Sequence, residues 1–345
     1  IPAALERYIF SRVEGNPFYL EEVVNSLLDN CCLKRVDGSW QFDETFDISD
    51  ISSTINGIIH GRLDRLGNEA KTVLQEAAVI GRIFRIDLLE RITAFPQACS
   101  DCIAAIERMD LILRIPENKK PTYGFKHAIV QEVIYKSLLK KDRRIIHGKI
   151  AITLESQFQD RLDSVPELLA LHFANSDRSQ KAARYLIRSG EKSLKKYSVE
   201  ESHRYYEKAY RLLSRIKSPT ADEQAMLIDL IIKWYFTFNK QGLFREMLDL
   251  LRTHESDVRA FGDASRTGMY EVCLGWALQR REWLVESYDY LTRALATGWK
   301  LGDDSLIAYS SACLCWTCTD LGRMEEALAF GRQADEIARR IETDN

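Results

Sequence analysis

The stretch Arg12-Val-Glu-Gly-Asn-Pro-Phe-Tyr-Leu-Glu-Glu-Val-Val-Asn-Ser-Leu-Leu28 is a helix start, and the rest of the chain can be arranged around it. Gly15 ends what precedes. Asn16 is a good N-cap, because its side-chain oxygen can accept a free backbone N–H of the first turn. Pro17 suits the first helical position, where its missing N–H costs nothing. Leu20, Val23, Val24, Leu27 and Leu28 then recur at helical spacing, with Glu21, Glu22 and Asn25 on the other side. Taken alone, Gly15-Asn16-Pro17 is accounted for as a helix cap.

A chain of 345 residues suits two or three domains. Apolar residues make up 46% and charged residues 29%, enough for a sizeable core. A net charge of −3 argues against nucleic acid or an acidic membrane as the main partner. No apolar run reaches the roughly 18 residues of a membrane span, so neither a transmembrane helix nor a signal peptide is expected. The first residue is Ile1, so a fragment of a longer, cytoplasmic protein is expected. The eight cysteines are irregularly placed, unlike a secreted disulfide framework. Cys99-x-x-Cys102 and Cys315-x-x-Cys318 are too far apart for a zinc finger. Both lie in helical periodicity, where they read as small buried groups.

In chain order, residues 3–13 and 17–29 read as helices. Leu33–Val36 and Ser39–Phe42 flank Asp37-Gly38, a strong hairpin signal. Residues 43–52 form an acidic loop. Ile55, Ile58, Ile59, Leu63 and Leu66 make one apolar stripe, with Arg62 and Arg65 at or beyond its edge. Gly67-Asn68 breaks the helix, and Ala70, Val73, Leu74, Ala77, Ala78 and Ile80 make the next. Short helices at 86–93 and 97–109 precede strand-like runs at Leu111–Ile115 and Thr122–Phe125. A helix bundle closed by a β-hairpin is winged-helix architecture. Its only basic tip is Asn118-Lys119-Lys120, and no Arg/Lys stripe lines a recognition helix, so a packing module is expected rather than a DNA reader. Residues 141–158 form a helix whose basic front, Lys141 through His147, reads as a solvated face, and Leu168–Ala174 continues helically.

The second half repeats. Phe261-Gly-Asp263 recurs 40 residues on as Leu301-Gly-Asp303, and Ile341-Glu-Thr-Asp344 follows at the same step without the glycine. Gly190, Tyr235, Gly275 and Cys315 align at steps of 45, 40 and 40, each followed 12 residues on by Ser202, Met247, Ser287 or Ala327. Ala209, Ala294 and Ala334 fall seven residues further. Small residues at this spacing let two helices pack closely, and the period means a solenoid of helix pairs. Gln241-Gly242 and Gly322-Arg323 mark turns inside repeats. Trp234, Tyr235, Trp276, Trp283, Trp299 and Trp316 are expected mostly in the core, with a few left as contact points on a concave face.

Glu14-Gly-Asn-Pro-Phe-Tyr-Leu-Glu-Glu22 resembles the helical lid of signalling NTPases of the STAND class, especially the ATPase modules found beside bacterial nucleotide cyclases. The resemblance continues through Arg62-Leu-Asp-Arg-Leu66, Ala77-Ala-Val-Ile-Gly-Arg82 and Phe125-Lys-His-Ala-Ile-Val-Gln-Glu-Val-Ile-Tyr135, over roughly the first half of the chain. The second half resembles the tetratricopeptide-type repeats that follow such modules. The resemblance implies that Gly15, Asn16 and Pro17 sit over a bound adenine. It also implies that His127, in the place of a Met-His-Asp motif, contacts the phosphate of ADP. Lys126 replaces the Met and Ala128 the Asp, so the histidine contact is expected without the aspartate's locking role.

The chain has no Gly-x-x-x-x-Gly-Lys-Ser/Thr; His147-Gly148-Lys149 lacks the upstream glycine, since position 143 is Arg. No catalytic constellation stands out. The expectation is a mainly α, non-catalytic regulatory fragment. Residues 1–50 form a helical lid segment, 51–140 a winged-helix-like domain, 141–178 connecting helices and 179–345 tetratricopeptide-like repeats. The cofactors, ATP or ADP with magnesium, belong to the longer protein, whose upstream P-loop domain is the first partner. A protein or small ligand on the repeat surface is the second, and a nucleotide cyclase the output. A repeat scaffold without a switch, and a transcription activator of the maltose-regulator type, are the alternatives.

Overall fold

The computed structural model describes residues 6, 17–29, 33–36, 39–42, 54–116 and 120–343. Gly15, Asn16, Asp37-Gly38, the loop at 43–52, the tip at Asn118-Lys119, Asp344 and nearly all of the helix expected at 3–13 lie outside them. The chain divides into two compact units, Ile1–Asp160 with Asn175–Asp177, and Arg161–Ala174 with Arg178–Asn345.

The first unit begins with α1 (Pro17–Asp29) and an antiparallel hairpin of β1 (Leu33–Val36) and β2 (Ser39–Phe42), in which Val36 pairs with Ser39. Next come α2 (Ile55–Asp64), α3 (Asn68–Ile80), β3 (Ile83–Arg85), α4 (Ile86–Ile92), α5 (Cys99–Arg108), β4 (Ile112–Ile115), β5 (Thr122–Phe125), α6 (Ala128–Ser137) and α7 (Lys140–Gln157). Thr54 caps α2 by accepting the Gly57 N–H at 3.2 Å. α3 is the central helix. Its Val73, Leu74 and Ala77 are fully buried, and α4, α5, α6 and α7 all pack on it. The expected hairpin is a three-stranded antiparallel sheet in the order β3-β5-β4. β3 was not foreseen. Its three residues are too few to show a pattern, yet Phe84 inserts into the core against Tyr123 and Phe125.

Three side-chain placements differ from expectation. Arg62 is not at the edge of the α2 stripe but only 1% exposed, and Glu22, expected on the polar side of α1, is equally buried. His147 is not on a solvated face either; it is buried, with its Nε2 3.2 Å from the Tyr135 hydroxyl. Lys141 and Arg144 are at the surface. Cys99 and Cys102 are buried in α5, and burial pushes the Cys99 thiol up to about 11, so it stays protonated at neutral pH.

The second unit is an α-solenoid of tetratricopeptide-like helix pairs. A short 3-10 turn (Gln159–Ser164) and α8 (Pro166–Ala174) lead into α9 (Ser179–Lys195) and α10 (Val199–Leu213). They are followed by α11 (Ala221–Gln241) with α12 (Phe244–Phe261), α13 (Ala264–Gln279) with α14 (Leu284–Leu301), and α15 (Asp304–Asp320) with α16 (Met324–Thr343). The repeated Gly-Asp has a physical cause. Gly262 and Gly302 adopt positive φ (79° and 65°) and end one pair, and Asp263 and Asp303 cap the next helix, accepting from Arg266 N and Leu306 N at 2.9 and 3.0 Å. Glu342 stands where a third glycine would fall, and α16 runs through it.

Within the pairs, Gly190 faces the Tyr206 ring, and a Cβ on Gly275 would lie 2.6 Å from Leu291 Cγ. The α11–α12 pair is the exception. Tyr235, Met247 and His254 occupy the positions where other pairs carry Gly or Cys, Ser or Ala, and Ala. These two helices pack less closely than those of the other pairs. First helices of successive pairs touch one another more extensively than second helices do, so α9, α11, α13 and α15 form the inner face. The tryptophans divide more evenly than expected: Trp234 is buried and Trp276 partly so, whereas Trp283, Trp299 and Trp316 are exposed. No helix among the described residues is long and apolar enough to cross a membrane.

Candidate functional site

The sequence-predicted site residues that are described, Pro17 and His127, both belong to the first unit. Pro17 opens α1 and is exposed. Glu21 lies one helical turn further along the same face, because residues four apart are neighbours on a helix. His127 occupies the N-cap position of α6 in extended conformation (φ −125°, ψ 140°), so its side chain leaves the β5–α6 junction rather than joining the helix. Its Nε2 is 3.2 Å from Glu21 Oε2. The Lys126 ammonium donates to the same carboxylate and also to Asp110. These four side chains are about a quarter to a half exposed, so they meet at the surface rather than in the core.

The next residue of α1 makes the buried counterpart. Arg62 of α2 donates from Nη1 to both carboxylate oxygens of Glu22, at 3.0 and 2.8 Å, and from Nη2 to the carbonyl of Met109. Met109 and Asp110 form the turn between α5 and β4, and Asp110 holds positive φ (56°). One short turn therefore receives both cations that grip α1.

The electrostatics agree with the geometry. The Lys126 hydrogen bond is the largest influence holding the Glu21 carboxyl below its ordinary value. The bonds to Asp110 and then Glu21 raise Lys126. Glu21 is thus an anion seated between two adjacent side chains, Lys126 and His127. Lys126 and His127 together suit one anionic oxygen group. Among the described residues there is no cluster of three His, Cys, Asp or Glu able to hold a metal ion. The chain carries no phosphate-cradling glycine loop, so the residues present fit one phosphate contact and not a whole nucleotide with its magnesium. At the sheet's other edge, Lys120 is ion-paired with Asp87 at 2.8 Å, and the hydrogen bonds to Asp87, that from Arg85 foremost, hold its carboxyl at about 2.

Sequence reasoning singled out His127 and the helix start as candidates but did not mark Glu21, Glu22, Arg62 and Asp110 as their neighbours. Glu22 and Arg62 are 40 residues apart, and Glu21 and Lys126 are 105 apart. A single sequence carries no mark that such residues are partners.

No protein-family profile matches the chain. An uncharacterized protein of Rhizobium meliloti (strain 1021) is 24% identical over 276 residues, which is 79% of this chain and 26% of that protein. The chain thus spans about a quarter of that relative's length. Similar solved structures include a STAND protein with a tetratricopeptide repeat sensor from Pyrococcus horikoshii (13% identity, 97% of this chain and 57% of that one, TM-score 0.37). They also include the apo form of RapI (8% identity, 97% and 75%, TM-score 0.45) and aspartyl phosphate phosphatase F from Bacillus subtilis (12% identity, 99% and 76%, TM-score 0.43).

Proposed function

We propose that this chain is the non-catalytic regulatory part of a STAND-type signalling ATPase. On this reading residues 1–50 are the lid segment, 51–140 a winged helix, 141–178 a connector and 179–345 the repeats that bind a protein partner. The observation that carries the proposal is the two-part grip on α1. Glu22–Arg62 is a buried, permanent tie. Glu21 on Lys126 and His127 is an exposed, exchangeable one. A nucleotide phosphate, delivered by a P-loop domain elsewhere in the longer protein, competes with Glu21 for Lys126 and His127. ADP and ATP differ in that competition, so the lid has two states biased by the ligand, which is what a switch requires. Pro17, on the exposed turn before Glu21, is placed to move with the lid. The nucleotide cyclase as output rests on the sequence resemblance alone.

The test is made in the longer protein. Its affinities for ADP and ATP are measured for wild type, His127→Ala and Pro17→Ala. The expected result is a changed preference between the two nucleotides. An unchanged preference overturns the switch and leaves the second reading, a repeat scaffold in which the first unit is a passive cap. That reading is favoured by one observation: Lys126 and His127 both meet a carboxylate of this same chain, Glu21.

A further inference from the structure

The partner side of that reading has a location on the inner face of the repeats. α9 presents Arg184, Arg188, Glu191 and Lys195 on successive turns, and α11 presents Asp222, Met226, Asp229, Lys233 and Phe236. Between these stripes lie two adjoining open hollows of about 460 and 560 Å³, with Glu191 and Lys233 as their shared wall.

The charges in the groove do not cancel. Glu191 is held by Lys233. Asp229 is held by Arg266, which reaches over from α13 with bonds of 2.8 and 3.1 Å. Arg184, Arg188 and Lys195 have no carboxylate partner among the described residues; Arg188 only lies over the Tyr185 ring at 5.6 Å. Asp222 is the one carboxylate lining the hollows without a cation of its own among the described residues, and it sits in the first turn of α11, where the helix dipole accommodates it. Three uncommitted cations thus face one uncommitted anion. Beside them, Phe236 is 42% exposed in the second hollow. The repeat register carries its position on to Trp276 of α13 and Trp316 of α15.

We propose that this groove binds an acidic peptide segment of a protein partner. Its carboxylates would meet Arg184, Arg188 and Lys195, and a large apolar side chain would rest against Phe236. The inference depends on the repeat unit being a partner-binding array. From Arg184 to Lys195 the stripe runs about 16 Å at 1.5 Å per helical residue, the span of roughly five extended peptide residues. The carboxylates of Glu191, Asp222 and Asp229 in the same walls disfavour a phosphate backbone, which is charged at every step.

The experiment selects a randomised 12-residue peptide library on the immobilised chain. Enriched peptides are then titrated against wild type, Arg184→Glu/Arg188→Glu, Phe236→Ala and the control Lys208→Glu on the exposed side of α10. All four proteins are checked for helicity, and the substituted side chains are at or near the surface, so folding is not at stake. The expected result is enrichment of acidic sequences with a large apolar residue. Affinity should fall by about tenfold or more in the double charge reversal and less in Phe236→Ala, with no change in the control. Enrichment of neutral or basic peptides, or acidic peptides that bind the charge reversal equally well, overturns this groove while leaving the partner-binding array intact. A folded chain that enriches nothing overturns both.

Discussion

At the scale of single residues, the Glu22–Arg62 pair has the largest consequence for stability. Both side chains are almost fully out of water, and the arginine also satisfies the Met109 carbonyl. A buried ion pair contributes little net stability against an apolar pair of equal volume, but removing one partner strands the other charge at a cost of about 3–5 kcal/mol. Arg62→Ala is therefore expected to lower the unfolding free energy of the first unit by about that much in a urea titration, while Glu22→Leu/Arg62→Met loses considerably less. If both variants lose equally, the pair is not acting as a compensated charge. The histidines of the cores predict a pH dependence. His147 is depressed to about 4, chiefly by burial and then by the Arg143 charge. In the second unit, burial also lowers His203 and His254. The Nδ1 of His203 accepts the Trp234 indole N–H at 3.1 Å, which fixes the neutral form with its proton on Nε2. An unfolded histidine takes its proton near about pH 6.5, whereas His147 in the fold resists until about 4, so the unfolded chain binds more protons across that interval. His147 thus contributes stability that is full above about pH 6.5 and is lost as pH falls towards 4. His147→Phe is expected to flatten this part of the stability profile, measured as the difference from wild type so that the carboxylates cancel.

At the scale of elements, the close helix approach in each repeat is set by small residues and the ends by Gly-Asp. Gly275→Ala places a methyl 2.6 Å from Leu291 Cγ in a helix pair that has no slack. Overpacking of this kind costs about 1–3 kcal/mol, which outweighs the better helix propensity of alanine. Asp303→Ala removes the cap of α15 and is expected to cost about 1 kcal/mol. Thermal melts of the two variants test both; a stabilised Gly275→Ala would mean that the helices can part freely. These elements were legible in the sequence because their determinants are local and periodic. Phe261-Gly-Asp263 and Leu301-Gly-Asp303 end one helix and start the next within three residues. The helix bounds at Gly67-Asn68 and the runs that became β4 and β5 were legible for the same reason. What was not legible depends on distant partners. Glu22 sits on what reads as the polar side of α1 and becomes buried only because Arg62 meets it there. β3 is held by pairing Ile83 with Gly124, not by its own three residues. His127 was a candidate by resemblance alone, and nothing in its neighbourhood of sequence announced Glu21.

At the scale of the whole molecule, the repeat unit behaves as a row of helix pairs whose stability is a sum of pair energies and nearest-neighbour interfaces. Such a row opens first where its internal packing is thinnest. That place is the α11–α12 pair, where Tyr235, Met247 and His254 keep the helices apart and the pair is held in part by lateral contacts. These include Trp234 to His203, Tyr210 to His254 at 2.9 Å and Arg266 to Asp229. Native-state hydrogen exchange is expected to show α12 opening at lower free energy than α13 and α14, in a cooperative step that leaves the pairs on either side protected. The same pair supplies one wall of the α9–α11 groove, so a ligand lying there adds a neighbour to the least-held element of the array. A library-selected acidic peptide should then slow exchange most in α11 and α12, and hardly at all in α15 and α16, because binding to the folded groove opposes only the opening that destroys it. Uniform protection along the array without peptide would show that the bulky residues fill the α11–α12 interface as tightly as glycine and alanine do elsewhere. Protection concentrated in α15 and α16 on adding peptide would move the binding surface to the exposed Tyr309 and Trp316.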